Sequence, residues 1–174
     1  MRGKAMTDTQ IEKVRTEEQI AAVSEMVWEF FDLMKNRYPD MVTEIDSYIE
    51  VQGVAGELEN FRDFFNPPKG EGFLGRLDGQ PAGIVMLKPH GDEDGELNRM
   101  FVRESARGTG LGRRLGQAVI EEARALGYRA VYLDALYRHV EALPLYESLG
   151  FEYYTDPTAF RADDNRVVHM KLAL

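Results

Sequence analysis

A glycine-rich loop between a predicted strand and a predicted helix restricts the possible folds of this chain more than any other feature. The loop reads Gly108-Thr-Gly-Leu-Gly112 and follows a segment, Glu96 to Val102, that is typical of a strand. After the loop, apolar residues recur at helical spacing as far as Gly127, a residue type that commonly ends helices. The β-rich run Ala130 to Leu133 comes next, so this order of elements predicts one parallel crossover.

The N-terminal part of the sequence, up to Phe65, predicts helices. Thr16 to Gln19 match a capping box, which begins an amphipathic helix that ends before Pro39. Two shorter helices are expected over Met41 to Val51 and Leu58 to Phe65, with breaks at Gly53 and Gly56.

The remaining segments predict antiparallel strands. Asp78-Gly79 is a hairpin turn between Phe73 to Leu77 and Pro81 to Leu87, and Glu96 to Val102 extends this pair into a meander. A helix over Glu141 to Leu149 and strands over Phe151 to Tyr154 and Val167 to Leu172 complete the prediction. The sequence therefore predicts an α+β fold in a single domain over residues 1–174, with one mixed, mostly antiparallel sheet flanked by helices.

Charge and residue content exclude several classes of protein. A formal charge of -9 disfavours nucleic acid as a partner. Cysteine is absent, and His90, His139 and His169 are not spaced like metal ligands, so no metal is expected. No apolar run approaches the roughly 18 residues of a membrane span. Met1 to Thr7 lack the apolar core of a secretory signal, so a cytoplasmic protein without a membrane partner is expected.

Positive charge is concentrated around the glycine loop. The segment from Asn98 to Gly116 has one acid, Glu104, against five arginines: Arg99, Arg103, Arg107, Arg113 and Arg114. A cationic island in an acidic protein predicts a site for a small polyanion, with a solvated helix face as the alternative.

Glycines before a helix suit a phosphate, because the first amides of the helix have no internal partner and the backbone is open to close approach. Arg113 and Arg114 stand where a P-loop requires lysine and serine or threonine, and Leu115 replaces the last glycine of a dinucleotide fingerprint. Asp134 lies 22 residues past Gly112, near the place of a ribose-binding acid, so a nicotinamide-dependent reductase stays as an alternative.

Two motifs resemble those of the GCN5-related N-acetyltransferase superfamily. Arg107 to Gly112 match its Gln/Arg-x-x-Gly-x-Gly/Ala signature, five residues past a strand. Downstream, Ala142, Tyr146, Gly150 and Phe151 match its Ala-x-x-x-Tyr-x-x-x-Gly-Phe motif. Glu96-Leu-Asn-Arg99 and Pro67-Pro-Lys-Gly70 are similar to uncharacterised bacterial members. The resemblance implies an acyl-CoA N-acyltransferase fold whose sheet is splayed at the cofactor site.

The resemblance also implies a set of residues that bind acetyl-CoA as co-substrate. Arg107 and Arg113 would supply charge, Met100, Phe101 and Val102 would bind pantetheine along their strand, and His139 stands where the family commonly has asparagine. The diphosphate would lie on the amides of Gly108, Thr109, Gly110, Leu111, Gly112 and Arg113.

Two residues are expected to be catalytic. Tyr146 would protonate, or donate a hydrogen bond to, the departing sulfur, and it would also contact the cofactor; its alternative is a core aromatic. Glu96 lies eleven residues before Arg107, the interval that the histone-modifying branch of the family uses for its base. A strand-edge glutamate paired with Arg99 or Arg76 is the alternative for Glu96, and Asp134 either faces the cleft or caps the next loop.

The resemblance implies an N-acetyltransferase that moves the acetyl group of acetyl-CoA to a small-molecule or peptide amine by direct attack in a ternary complex. A coenzyme A-binding regulatory module without turnover is the alternative. Exposed edge strands would permit a homodimer.

Overall fold

A computed structural model describes residues 7–68, 70–159 and 161–174. Met1 to Met6, on which the expectation of no secretory signal largely rests, lie outside the described residues, as does Lys69 of the Pro67-Pro-Lys-Gly70 segment. Within the described ranges, no helix combines the length and the apolar composition that a bilayer span requires.

Seven strands in the described part of the chain form one sheet in the order β1-β2-β3-β4-β5-β7-β6. Every neighbouring pair is antiparallel except β4 and β5, which run parallel. The strands are β1 (Thr9–Lys13), β2 (Glu71–Leu77), β3 (Gln80–His90), β4 (Asp94–Val102), β5 (Ala130–Leu136), β6 (Glu152–Tyr153) and β7 (Val167–Ala173). The predicted meander and the parallel crossover are confirmed.

Turn chemistry determines the β2–β3 hairpin. Asp78 and Gly79 have φ values of 49° and 82°, so both central residues of the two-residue turn are left-handed. This conformation gives the turn the twist that adjacent antiparallel strands require, and aspartate followed by glycine adopts it readily.

Helices cover both faces of the sheet. The capping box at Thr16 and Gln19 is formed as predicted. The described helices are α1 (Glu17–Arg37), α2 (Val42–Val51), α3 (Val54–Glu59), α4 (Phe61–Phe65), α5 (Leu111–Ala125) and α6 (Ala142–Ser148).

The predicted break at Gly56 is wrong, because α3 runs through this glycine and ends at Glu59. A glycine inside a helix costs only about 1 kcal/mol, and burial of Val54 and Leu58 outweighs that cost. Asn60, with φ -114° and ψ 41°, separates α3 from α4 instead, so the predicted helix from Leu58 to Phe65 is two short helices.

Two apolar layers hold the sheet. On one face, α5 packs Leu111, Leu115 and Val119 against the strands. On the other face, α1 to α4 pack residues such as Val27 and Phe65 against the sheet. The glycine loop is therefore fixed by the α5 layer, at the end of β4.

The parallel pairing of β4 and β5 is short. Only Gly95 and Glu96 are paired with β5, opposite Val131 and Tyr132, while β5 continues to Leu136 beside β7. The strands separate beyond Glu96, so the splay implied by the family resemblance is present.

Replacing Leu115 with alanine tests the layer that holds the loop. Leu115 is fully buried in α5, so the variant should lose roughly 2–5 kcal/mol of unfolding free energy through lost burial and a residual cavity. Urea unfolding measures this loss, with Gln117→Ala on the exposed side of the same helix as the control. Equal stability of the two variants would contradict the packing described.

Candidate functional site

The glycine loop forms a backbone concavity before α5. Gly108 and Gly110 have φ values of 77° and 86°. Apart from the glycine and its two chain neighbours, no described residue has an atom within 4 Å of the position that a Cβ would occupy on either one. These conformations favour glycine, and the space beside them is open. The Thr109 hydroxyl donates a hydrogen bond to the Ala106 carbonyl at 2.5 Å, which fixes the loop from within.

Backbone amides of the loop are available to an anion. The exception is the Leu111 amide, which donates a long hydrogen bond of 3.4 Å to Thr109 Oγ1. Across the described ranges, no hydrogen bond is donated by the amides of Gly108, Thr109, Gly110, Gly112 and Arg113. Gly110 is the N-cap of α5 and has no side chain to satisfy these donors. The start of α5 therefore has the donors and the positive helix end that a phosphate group requires.

A groove of about 390 Å³ runs from this loop along β4, and we call it the glycine-loop groove. Glu141, Ala142 and Leu145 close its other side. The residues of the sequence-predicted cofactor set that line it are Met100, Phe101, Val102, Arg107, Gly108, Gly110, Leu111, Gly112, Arg113 and His139. Thr109 and Tyr146 of that set do not line the groove.

Gly112 has a packing role as well as a place in the groove. A Cβ on this residue would lie 3.3 Å from Leu145 Cδ2 and 3.5 Å from Val102 Cγ2, so α5 approaches α6 and β4 closely here. A methyl group at Gly112 would therefore meet α6 and β4, whereas the space beside Gly110 is open.

The arginines around the loop do not form one cationic patch. Arg99 is buried and pairs with Glu57, and Arg103 pairs with Glu29. Only Arg107 and Arg113 of the five line the glycine-loop groove. Arg107 Nη1 lies 3.5 Å from Glu141, and Arg113 Nη1 donates to Ser148 at 2.9 Å.

A second cavity, about 160 Å³, lies on the α1–α2 side of the sheet, and we call it the β4 chamber. It is comparable in volume to engineered cavities of about 150 Å³ that hold benzene, so it suits a small molecule. Glu96 to Met100 form its β4 wall and Asp134 to Leu136 its β5 wall. Tyr48 and Arg161 also line it, and Met100 and His139 are shared with the glycine-loop groove. The two cavities therefore meet where β4 and β5 separate.

His139 lies at the junction of the two cavities. Burial lowers the pKa of its imidazole to about 4, so the ring is neutral near pH 7. Its ring is 5.8 Å from that of Phe30 on α1. The loop that carries His139 is held by α1, since Arg37 Nη1 donates to the Arg138 carbonyl at 3.1 Å and the Arg37 guanidinium binds Glu141.

Glu96 faces the β4 chamber. Burial, and secondarily the nearby Asp134 carboxylate, raises the pKa of Glu96. The alternative of an ion pair with Arg99 or Arg76 is wrong, because Arg99 binds Glu57 and Arg76 binds Glu12. A carboxylate with a raised pKa in a chamber is suited to accept a proton.

Asp134 faces the same chamber, which answers the question that the sequence left open. Its Oδ1 is 2.5 Å from Nδ1 of His169, its register partner on β7. Nε2 of His169 is buried and has no hydrogen-bond partner among the described residues. Asp134 is thus part of the polar wall of the β4 chamber, and His169 is the side chain that binds it.

Tyr146 lines the β4 chamber from α6. Its ring packs 5.8 Å from Phe151, and the residue is also part of the core, as the alternative interpretation held. Burial raises the pKa of the phenol well above its usual value, so the hydroxyl keeps its proton. Tyr146 therefore presents a hydroxyl donor to the chamber.

Sequence reasoning missed Arg99 as a residue of the β4 chamber and His169 as the partner of Asp134. Arg99 was counted with the cationic island, yet it lies in the β4 chamber on the other face of the sheet. His169 was considered only as a metal ligand. No group of three His, Cys, Asp or Glu residues in the described ranges has the geometry to hold a metal ion.

Comparison with known sequences identifies one family. The sequence model described as the Acetyltransferase (GNAT) family matches residues 27–151. An uncharacterized N-acetyltransferase of Schizosaccharomyces pombe is 31% identical over 149 residues, which cover 82% of this chain and 88% of the relative. The N-acetylaspartate synthetase of Danio rerio is 34% identical over 145 residues, covering 79% of this chain and 51% of the relative. This chain therefore spans about half the length of that second relative.

Solved structures share the fold. The crystal structure of the PaiA N-acetyltransferase from Thermoplasma acidophilum, in complex with coenzyme A, matches with a TM-score of 0.70 at 15% identity. The match covers 96% of this chain and 99% of that one. The mixed, mostly antiparallel sheet with flanking helices is thus the acyl-CoA N-acyltransferase fold, as the motifs predicted.

The buried neutral His139 predicts a loss of stability in acid. Because its folded pKa of about 4 lies below the unfolded value of about 6.5, protonation favours unfolding, and stability falls as the pH drops through this interval. Urea unfolding should show a decrease from pH 7 to pH 4.5 that is about 2–3 kcal/mol smaller in His139→Asn than in the wild type. An equal decrease in both proteins would contradict a buried neutral imidazole.

Proposed function

This chain belongs to the acetyltransferase (GNAT) family and is an acyl-CoA N-acyltransferase, and from that premise we propose that it transfers the acetyl group of acetyl-CoA to an amine by direct attack in a ternary complex. The observation that carries the proposal is the junction of the two cavities at Met100 and His139. A donor in the glycine-loop groove and an acceptor in the β4 chamber would meet there. The proposed enzyme acts as a single domain in the cytoplasm.

The glycine-loop groove fits the donor. Open space beside Gly108 and Gly110, and the unpaired amides before α5, suit the diphosphate. Beyond Glu96, the β4 edge that faces β5 has no strand partner in the described part of the chain, so backbone groups of Met100 to Val102 are available to the pantetheine amides and the thioester oxygen. Acetyl-CoA supplies the activated acyl group, and the residues of the groove bind and orient it.

Glu96 is the proposed base. An aliphatic ammonium with a pKa near 10 is protonated at neutral pH, and it must lose a proton before its nitrogen can attack. The raised pKa of Glu96 brings this carboxylate closer to the range in which a base is efficient. Asp134 supports the role because its charge helps to raise that pKa.

Tyr146 is the proposed donor to the leaving group. Because burial raises its pKa, full transfer of its proton to a thiolate would be unfavourable unless the proton is replaced in the same step. The nitrogen supplies that proton: an ammonium has three protons and the product amide one. One proton passes to Glu96 and then to solvent. As the carbon–nitrogen bond forms and the carbon–sulfur bond breaks, Tyr146 gives its proton to sulfur, and the second proton of the nitrogen replaces it on Tyr146.

Gly110→Ala tests the donor position. Alanine is strained at φ 86°, and its methyl group would enter the open space of the groove, so the Kd for coenzyme A should rise at least about tenfold. Isothermal titration measures this change. Gly127→Ala is the matched control, because Gly127 has φ 79° and equally open surroundings after the far end of α5. Equal Kd values for the two variants would place coenzyme A elsewhere.

Glu96→Gln and Tyr146→Phe test turnover. Each should lower kcat by at least about tenfold and change the Kd for coenzyme A little, because each removes a proton transfer and leaves the proposed diphosphate and pantetheine contacts in place. Thiol release from acetyl-CoA with a panel of primary amines, polyamines, amino acids and aminoglycosides measures the rate. In the wild type, kcat/KM should rise with pH as Glu96 loses its proton, at a pH above the usual pKa of a glutamate. The Glu96→Gln variant should lack this rise.

Glu93→Gln and Tyr153→Phe, both exposed, are the matched controls and should retain activity. Binding of coenzyme A without thiol release from any member of the panel would instead support a regulatory module.

A further inference from the structure

A β-bulge places Arg99 in the β4 chamber. Ile84 of β3 pairs with Phe101, but Met86 pairs with Asn98, so β4 has one more residue than β3 between these positions. Arg99 occupies the bulge with φ 53°. Residues two apart in a strand share a face, so Arg99 lies on the same side of the sheet as Phe101, towards α3 and α4. The bulge interrupts this alternation, because Leu97 and Met100 are three residues apart and both pack on the α5 side.

Arg99 belongs to a buried cluster with more positive than negative charge. Its side chain is 3% exposed, and Nη2 lies 2.9 Å from Oε2 of Glu57 on α3. Oε1 of the same carboxylate accepts a hydrogen bond from Lys88 Nζ at 2.9 Å. The Phe65 ring lies 5.4 Å from Lys88 Nζ and 5.9 Å from the Arg99 guanidinium carbon. Two cations thus share one carboxylate, which leaves one positive charge without a direct counterion in this cluster.

The hydrogen bonds of Arg99 are also incomplete. Although Glu57 is close, Nε, Nη1 and Nη2 of Arg99 are buried and donate no hydrogen bond to any residue that the structure describes. Arg15, by contrast, binds Glu71 through two hydrogen bonds of 2.6 and 2.7 Å. Burial of a guanidinium is unfavourable unless acceptors satisfy its fixed array of N–H donors. A carboxylate is the acceptor whose geometry matches that array.

Carboxylates outnumber cations in the rest of the chamber wall, although Arg161 also lines it. Glu96 and Asp134 present carboxylates from β4 and β5. The chamber therefore combines an anionic wall that suits an ammonium group with one incompletely paired cation that suits an anion. At about 160 Å³, it admits a small molecule that carries both groups.

We propose that the acceptor is a small amine that also carries a carboxylate, with the carboxylate bound by Arg99 and the amine held beside Glu96. Free amino acids are the simplest members of this class. The inference rests on the proposed function, because it concerns the acceptor side of the same site. Arg99 is then a specificity residue: it contacts the substrate away from the reacting nitrogen.

An acceptor panel tests the inference on the wild-type chain. Each free L-amino acid is compared with its own carboxamide and with the amine that lacks the carboxyl group, by thiol release from acetyl-CoA. The absence of cysteine from the chain removes protein thiols from the background. The preferred amino acid should have a kcat/KM at least about a hundredfold above that of its amide, because the amide leaves Arg99 without an anion.

Arg99→Gln and Arg99→Lys separate recognition from structural support. With the preferred amino acid, Arg99→Gln should raise KM at least about tenfold and change kcat much less, and its selectivity over the amide should disappear. Arg99→Lys should recover part of the selectivity, because it keeps the charge and loses the planar array of donors. Arg76→Gln is the matched control, since Arg76 pairs with Glu12 at the β1 edge of the sheet.

The outcomes distinguish this inference from the proposed function. Amides and simple amines that are acetylated as well as amino acids, or an Arg99→Gln variant that folds and loses both activities equally, would overturn the carboxylate site and leave acetyl transfer intact. Binding of coenzyme A with no thiol release from any amine or amino acid would overturn the proposed function itself. If Arg99→Gln does not fold, the wild-type panel and Arg99→Lys decide the question.

Discussion

The free edge of β4 is the constraint on which the rest of the site depends. Backbone amides and carbonyls need partners, and β5 stops supplying them after Glu96, although β3 continues to pair with β4 as far as Val102. The gap persists because β5 is bound to β7 and because α1 holds the following loop through Arg37. A sheet that closed here would have no passage between the glycine-loop groove and the β4 chamber.

The charges of the β4 chamber are better suited to selecting a ligand than to stabilising the fold. Buried charges are costly to desolvate, and a buried pair often contributes little net stability. Here burial raises the pKa of Glu96, while Arg99 retains unpaired donors near a single carboxylate, Glu57. Both groups occupy β4, so the strand that offers its edge to the donor also presents charges to the acceptor.

Local signals in the sequence predicted the elements that depend on local chemistry. The capping box at Thr16, the Asp78-Gly79 turn and the glycine loop are each determined by a few neighbouring residues. Arg99 could not be placed, because a one-residue bulge changes the face on which a side chain lies and leaves no mark in the pattern. Asp134 and His169 meet only through the β5–β7 register, which joins residues 35 positions apart.

The central claim is that the donor lies across the start of α5 and along the free edge of β4. Titration of the ¹⁵N-labelled chain with coenzyme A, followed by amide chemical shifts, tests it most directly. The account predicts the largest changes at Gly108 to Arg113 and at Met100 to Val102, with Asp78 and Gly79 unaffected. Large shifts confined to other parts of the chain, or none at saturating coenzyme A, would contradict it.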